Sequence, residues 1–424
     1  MVYLLNTSYL CVKSTRRDAL SILLMCFKRE GVHLERSEKY LLICCFFMFS
    51  LNGLYAMILG SLLPLITTEY NLSNTIGGAL ISAHQAGALA AGFLAGILPL
   101  YFGRKKSLLL LFSLVVIGFV MVVLTGNPIL LLVGFLFTGI SRGSASNFNN
   151  AIVNEVSGGK ASSLNLLHSL FAVGALLAPF LVILATAIGG DEGWRIAALT
   201  ISGLVLIAII MFSRAQITNV PKAERKDKMS YKFMKSKQYW YSIGILFFYL
   251  CAEATVNGWI VTYFIDEGIM SRQYAQMLAS LLWVVILIGR LTIVFTRDKV
   301  STRLILVLAS IGTAAFYIML LVTRNIGFIT VAIAGLGLSM AGIYPTIIAN
   351  IGKIIKVHPQ SLGVLLLLSG IGAITMPIIT GGLADRFGIF AGMSAVITAI
   401  VLMLVFVVLE IIRHRRERLQ AANE

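Results

Sequence analysis

The sequence predicts an all-α membrane protein of twelve transmembrane helices arranged as two six-helix halves. Three observations carry this expectation. Hydrophobic residues make up 58% of the 424 positions and charged ones only 12%, with a mean hydropathy of +0.92, which leaves too little polar surface to cover a soluble globule. Twelve apolar stretches each approach the roughly 20 residues that cross a hydrocarbon core. They fall six and six around one basic, polar break at residues 214–238. Backbone groups in lipid must be satisfied within the segment, so each stretch is expected to be a helix.

The expected spans of the first half are 40–66, 75–101, 106–125, 128–154, 164–187 and 195–213. Those of the second half are 239–264, 273–295, 302–322, 325–351, 361–382 and 391–412. The domain plan is then a tail (1–38), a six-helix half (39–213), a basic linker (214–238), a second half (239–412) and a tail (413–424). The first tail carries a short apolar run, Ala19 to Phe27, without the length of a span or the small-residue cleavage site of a secretory signal. Met25 is an alternative start.

The net charge of +16 raises the question of nucleic acid, and the placement of the charges answers it. Of 34 Lys and Arg residues, only Arg195, Arg272, Arg324 and Arg386 fall on one side of the twelve spans, and Arg142 and Arg290 lie within spans. The others gather on the side holding both tails and the linker. This is the positive-inside asymmetry, so both termini are expected in the cytoplasm and no nucleic-acid partner is expected. The lipid bilayer is the partner that the basic linker and tail fit. Five cysteines show neither a disulfide framework nor metal-ligand spacing.

Ionisable groups at mid-depth are functional candidates because a buried charge in a membrane is costly. Arg142 falls at the middle of span 4, with Ser146 and Asn150 following at i+4 spacing and Asn147 and Asn154 on a neighbouring stripe. Glu253 falls near the middle of span 7, followed by Asn257, Trp259 and Tyr263. Span 1 contributes Asn52 and Tyr55, span 2 His84 and Gln85, span 5 Asn165 and His168, and span 10 Ser339, Tyr344 and Thr346. Amides both donate to and accept from sugar hydroxyls, and aromatic rings stack on the apolar face of a pyranose. The set therefore suits an uncharged, hydroxylated small molecule, with Asn52, Tyr55, Gln85, Arg142, Asn147, Asn150, His168, Asn257, Trp259 and Tyr344 as binding candidates. Glu253, His84 and His168 are the candidates to carry a proton. The plainer alternatives are helix-to-helix hydrogen bonds for the amides and a structural ion pair between Glu253 and Arg142.

The run Gly96-Ile-Leu-Pro-Leu100-Tyr-Phe-Gly103-Arg104-Lys105-Lys106 resembles the inner-loop signature of the major facilitator superfamily, Gly-x-x-x-Asp-x-x-Gly-Arg-Lys. Leu100 stands where that signature has Asp, which removes the usual carboxylate latch and turns Arg104 toward helix carbonyls. Gly289-Arg290 is similar to the matching element of the second half. The resemblance implies the major facilitator fold, with Gly96, Gly103, Arg104, Lys105 and Arg290 at the conformational gate.

Within that superfamily the chain resembles the fucose, galactose and glucose proton symporters. The similarity rests on Leu62-Leu63-Pro64, Ser163-Leu-Asn165-Leu-Leu-His168, Tyr249-Leu-Cys-Ala-Glu253, Ile343-Tyr344-Pro345-Thr346 and Gly370-Ile-Gly372 with Pro377, Gly381 and Ala384-Asp385, in that order. It implies proton-coupled uptake of a sugar, with His168 and Glu253 on the cavity wall. Gly60 and Ser146 occupy places where fucose permeases carry acids, so fucose itself is not implied, and Arg142 admits a substrate bearing a carboxylate, such as a sugar acid.

Uptake of a sugar or polyol-like solute is the first expectation, with protons as the coupling ion and sodium second. Export of a drug or metabolite by exchange is the alternative, and Gly174-Ala-Leu-Leu-Ala178-Pro179 lacks the glycine pair that follows proline in many antiporters. A sensor on a transporter scaffold is the third. No phosphate-cradling loop, nucleophile elbow or metal-ligand pair occurs, so neither an enzyme nor a cofactor is expected. A monomer in a bacterial inner membrane is expected, working by alternating access, with Gly92 and Gly96 at GxxxG spacing allowing close helix approach.

Overall fold

The structure is a computed structural model that describes residues 35–219, 230–296 and 300–423. The apolar run 19–27 and residues 220–229 of the basic linker lie outside the described residues. Twelve long helices are present among them: α1 Arg36–Glu69, α2 Asn74–Phe102, α3 Arg104–Leu124, α4 Pro128–Val156, α5 Ala161–Gly189 and α6 Gly193–Arg214 in the first half. The second half holds α7 Lys237–Asp266, α8 Arg272–Thr296, α9 Thr302–Val322, α10 Ile326–Asn350, α11 Gln360–Phe387 and α12 Val396–Asn423. By length and composition alone eleven spans are counted, because α5 and α6 form one run of 53 residues, Ser162–Arg214. A straight helix of that length would measure about 80 Å against a hydrocarbon core of about 30 Å. The run bends at the 3-10 turn Gly190–Glu192, where Gly190 takes φ +60°, so it makes two crossings.

Local chemistry sets the helix starts. Asn127 caps α4 by accepting from the backbone N–H groups of Ile129 and Leu130, and Pro128 occupies the first helical position. Asn325 caps α10 in the same way, through Gly327 and Phe328. In each case a threonine two residues earlier, Thr125 or Thr323, accepts the asparagine's own N–H. The two halves thus repeat one turn at equivalent places. One difference from the expected plan lies at the end: α12 continues to Asn423 rather than giving way to a tail. Arg413 supports it by pairing with Glu410 and Glu417, one turn to either side.

Within the first half, α1 and α6 run antiparallel. The Tyr40 hydroxyl donates to Met211 O at one end (3.1 Å) and Trp194 Nε1 donates to Glu69 at the other (2.5 Å). The end holding Tyr40 and Met211 also carries the linker and is called the linker face below, and the opposite end is the far face.

The halves meet toward the far face. Asp385, at the end of α11, accepts the Asn74 and Thr75 backbone N–H groups at 2.8 Å each and the Thr75 hydroxyl at 2.5 Å. These donors are the open N-terminus of α2, where the helix dipole favours an anion. Arg272 pairs with Asp191 nearby. Below this, backbones come close enough to exclude side chains: a Cβ on Gly78 would lie 2.3 Å from Pro377 O, and one on Gly60 would lie 2.0 Å from Asn257 O. Toward the linker face α2 and α11 part. Gly92 and Gly96 meet nothing within 4 Å, nor does Gly363 of α11. The close approach expected at Gly92 and Gly96 is therefore made instead at Gly78 and Gly381, because the halves are closed only at the other end.

The same geometry relocates the latch. Gly381-x-x-x-Asp385-x-x-Gly388 at the end of α11 has the spacing of Gly96-x-x-x-Leu100-x-x-Gly103 at the end of α2, with the carboxylate that Leu100 lacks. Gly103 (φ 76°, ψ 158°) and Gly388 (φ 86°, ψ 160°) share a backbone conformation that disfavours side chains, and a new helix follows each at once.

Candidate solute-binding site

A cavity of about 570 Å³ lies between the halves, lined from α1, α2, α4, α5, α7, α8, α10 and α11. Helical periodicity explains how each element contributes: His84 and Gln85 from α2, Arg142 and Ser146 from α4, Asn165, His168 and Phe171 from α5, and Glu253 and Asn257 from α7. Helix α8 adds Trp283 and Arg290, seven residues apart, and α10 adds Tyr344. A void of about 10 Å³ in the seal above shares Met57, Gly60, Asn257 and Trp283 with it.

Two of the three charged groups in the cavity have a neutral neighbour. Arg142 Nη1 donates to Gln85 Oε1 at 2.7 Å, and Glu253 Oε1 accepts from the Tyr249 hydroxyl at 2.8 Å. Arg142 and Glu253 do not form the ion pair considered from the sequence. Among the described residues, Arg142, Arg290 and Glu253 are all outside ion pairs.

His84 has a defined tautomer. Thr138 spends its single hydroxyl hydrogen on Phe135 O at 2.7 Å, so at 2.9 Å from the imidazole it accepts from Nδ1–H. Nε2 is then a bare acceptor, buried and without a protein partner. Gln85 keeps its amide N–H groups after accepting from Arg142, and Asn257 keeps Oδ1 after its amide donates to Glu253 O at 2.9 Å. The wall therefore presents both donors and acceptors. Aromatic surface comes from Phe49, Phe171, Trp283 and Tyr344; Phe49 meets His168 edge-on with centroids 5.3 Å apart.

Eight residues singled out from the sequence line the cavity: His84, Gln85, Arg142, His168, Glu253, Asn257, Arg290 and Tyr344. Others sit elsewhere. Asn52 is buried and donates to Ser146 Oγ at 3.0 Å, and Tyr55 is buried with its hydroxyl 3.5 Å from Ser141 Oγ. Asn147 and Asn150 turn their amides back to Gly143 O and Ser146 O on their own helix, the i−4 bond open to short polar side chains. Trp259 is fully buried and donates to Pro377 O at 3.3 Å, which packs α7 against α11. Of the gate residues, Gly96 faces open space. Arg104 meets a carboxylate rather than helix carbonyls, pairing with Glu155 at 2.6 Å while its backbone N–H donates to Asn219 at 2.8 Å. Lys105 donates to Ala215 O at 2.9 Å, so the Gly103 corner holds the start of the linker against the first half. Trp283, Phe49 and Met57 were not singled out; the seven-residue spacing of Trp283 and Arg290 on one helical face was the available signal.

The family model described as Major Facilitator Superfamily matches residues 45–291, more than half of the chain. The chain belongs to the Major Facilitator Superfamily. Major Facilitator Superfamily relatives are distant. The human sodium-dependent glucose transporter 1 is 22% identical over 74% of this chain and 66% of its own length, just under two thirds of it. The Protein TsgA homolog of Buchnera aphidicola is 21% identical over 88% of this chain and 97% of that protein. Among solved structures, a bacterial homolog of the human lysosomal transporter Spinster, in an inward-facing and occupied conformation, superposes with a TM-score of 0.74 at 16% identity, covering 89% of this chain and 97% of that one. The nucleoside transporter NupG gives 0.69 at 14% identity, covering 89% and 98%. These likenesses establish the fold of a Major Facilitator Superfamily transporter, which is not an enzyme.

Proposed function

We propose that this chain is a secondary active transporter that moves a sugar or sugar-like hydroxylated solute by alternating access, coupled to proton symport. The observation that carries the reading is the cavity of about 570 Å³ between the halves, within the range of small-molecule sites and walled by amides and aromatic rings. The names of the similar proteins point the same way, one a glucose transporter and one a transporter of nucleosides, which carry a ribose. On this reading the membrane is a bacterial inner membrane, the linker face is cytoplasmic, which the charge asymmetry supports, and the described conformation is open inward. Glu253 is the only carboxylate of the cavity wall among the described residues and so the group that takes the proton. The protein works as a monomer, one cavity to a chain.

Reconstitution in liposomes tests this. An inward proton gradient should accumulate a labelled hydroxylated solute, and thermal stability should rise with that solute by mass action. Accumulation driven by sodium alone would replace the proton. Stabilisation by apolar or cationic compounds, with none by any hydroxylated solute, would make the chain an exporter.

A further inference from the structure

The cavity carries more positive charge than a neutral solute can use. Arg142 enters it from α4 and Arg290 from α8, facing the single carboxylate of Glu253 on α7. None of the three is in an ion pair, and Gln85 takes only one of the five donors of Arg142. A guanidinium cannot shed its charge, and at this depth a charge without a partner is costly. Glu253 is the charge the two share: it lies in electrostatic reach of Arg142, and with Arg290 it neighbours Tyr249 and Tyr344, the latter on the same cavity wall.

We propose that the solute is a hydroxylated monocarboxylate, a sugar acid in chemical class, whose carboxylate is held by Arg142 and Arg290 while Gln85 and Asn257 bind its hydroxyls. This rests on the sugar-class, proton-coupled reading above and narrows it. The donor and acceptor pattern fits. The free amide N–H of Gln85 donates to the solute, and Asn257 Oδ1 accepts from it. Charge is also conserved through the cycle. With both histidines neutral, the empty wall holds two cations and one anion. A proton on Glu253 arriving with one carboxylate leaves that net charge unchanged, because the solute replaces Glu253 as the counter-charge of the guanidiniums. A proton arriving with a neutral sugar would leave two uncompensated cations in a membrane-embedded site.

The test compares dissociation constants of the purified full chain for D-glucuronate, D-glucose, glucose 6-phosphate and hexanoate. Glucuronate is expected to bind at least about tenfold tighter than each of the others, because only it offers one carboxylate together with ring hydroxyls. Arg142→Gln and Arg290→Gln should each weaken glucuronate about ten- to hundredfold and weaken glucose far less. Arg290→Lys should keep part of the preference. The ligand-free melting temperature should hold or rise in the Gln variants, since each removes an unpaired charge, which separates a binding role from a structural one. Glucose binding as tightly as glucuronate in the unmodified chain, or Gln variants that bind glucuronate normally, overturns the carboxylate and leaves the sugar-class reading standing. Tighter binding of the phosphate ester overturns the single charge. Binding of no hydroxylated compound overturns both.

Discussion

Glu253 and His84 show how a side chain's role follows from what its neighbours have already used. Glu253 has one donor, the Tyr249 hydroxyl, and among the described residues no cation in contact. Facing it across the cavity are Arg142 of α4, Arg290 of α8, Tyr344 of α10, His84 of α2 and His168 of α5. Glu253→Gln is expected to abolish uphill accumulation in a proton gradient while solute exchange at equal pH continues; normal accumulation by this variant would remove Glu253 from the coupling step. His84 owes its bare Nε2 to Thr138. Thr138→Val keeps the shape and leaves the buried imidazole without its hydroxyl partner, so the melting temperature should fall while solute affinity changes little. A thermal melt beside a calorimetric titration reads both.

At the scale of elements, glycine contacts divide into permanent and conditional ones. Gly174 packs α5 on α1 within one half, where a Cβ would lie 1.8 Å from Ser50 O, and Gly139 packs α4 on α2 at 1.9 Å from His84 O. Gly78 and Gly60 instead meet backbone of the opposite half. Gly174→Ala should therefore cost about 1 to 3 kcal/mol of fold stability, the usual range for overpacking, and lower the melting temperature. Gly78→Ala should spare the fold and disfavour only the far-closed arrangement. The Asp385 latch belongs with the second set. Asp385→Asn weakens charge-assisted bonds worth about 2 kcal/mol, enough to change the ratio of the two conformations roughly 30-fold. Maleimide labelling of a cysteine at position 96, which faces open space here, should slow in both Gly78→Ala and Asp385→Asn. Unaltered labelling would mean that neither contact sets the conformational balance.

Across the whole molecule, twelve crossings with the basic residues gathered at one face predict a cytoplasmic C-terminus. A fluorescent protein fused after Glu424 should mature, and an alkaline phosphatase fused there should stay inactive; the reverse result would invert the orientation. The helices and their pairing into halves were legible because hydropathy and length are summed over some 20 residues and tolerate local exceptions. Side-chain destinations were legible only where helical spacing was decisive, as for His84, Arg142 and Glu253. Trp259 looked like a stacking platform beside Asn257, yet its place on the helix turns it into the α7–α11 contact. Asn147 and Asn150 looked like a polar wall, but each short amide bonds its own helix. The direction in which the halves part was not legible at all, since contact partners 311 residues apart decide it. That contact has a consequence for mutational tolerance. Asp385 grips the main chain of α2, and almost any residue at position 74 offers the same N–H. Drift there should pass unnoticed while position 385 stays intolerant. Proline is the exception, and the first position of a helix accepts proline readily, so Asn74→Pro removes one of the three bonds to Asp385 and leaves the two from Thr75.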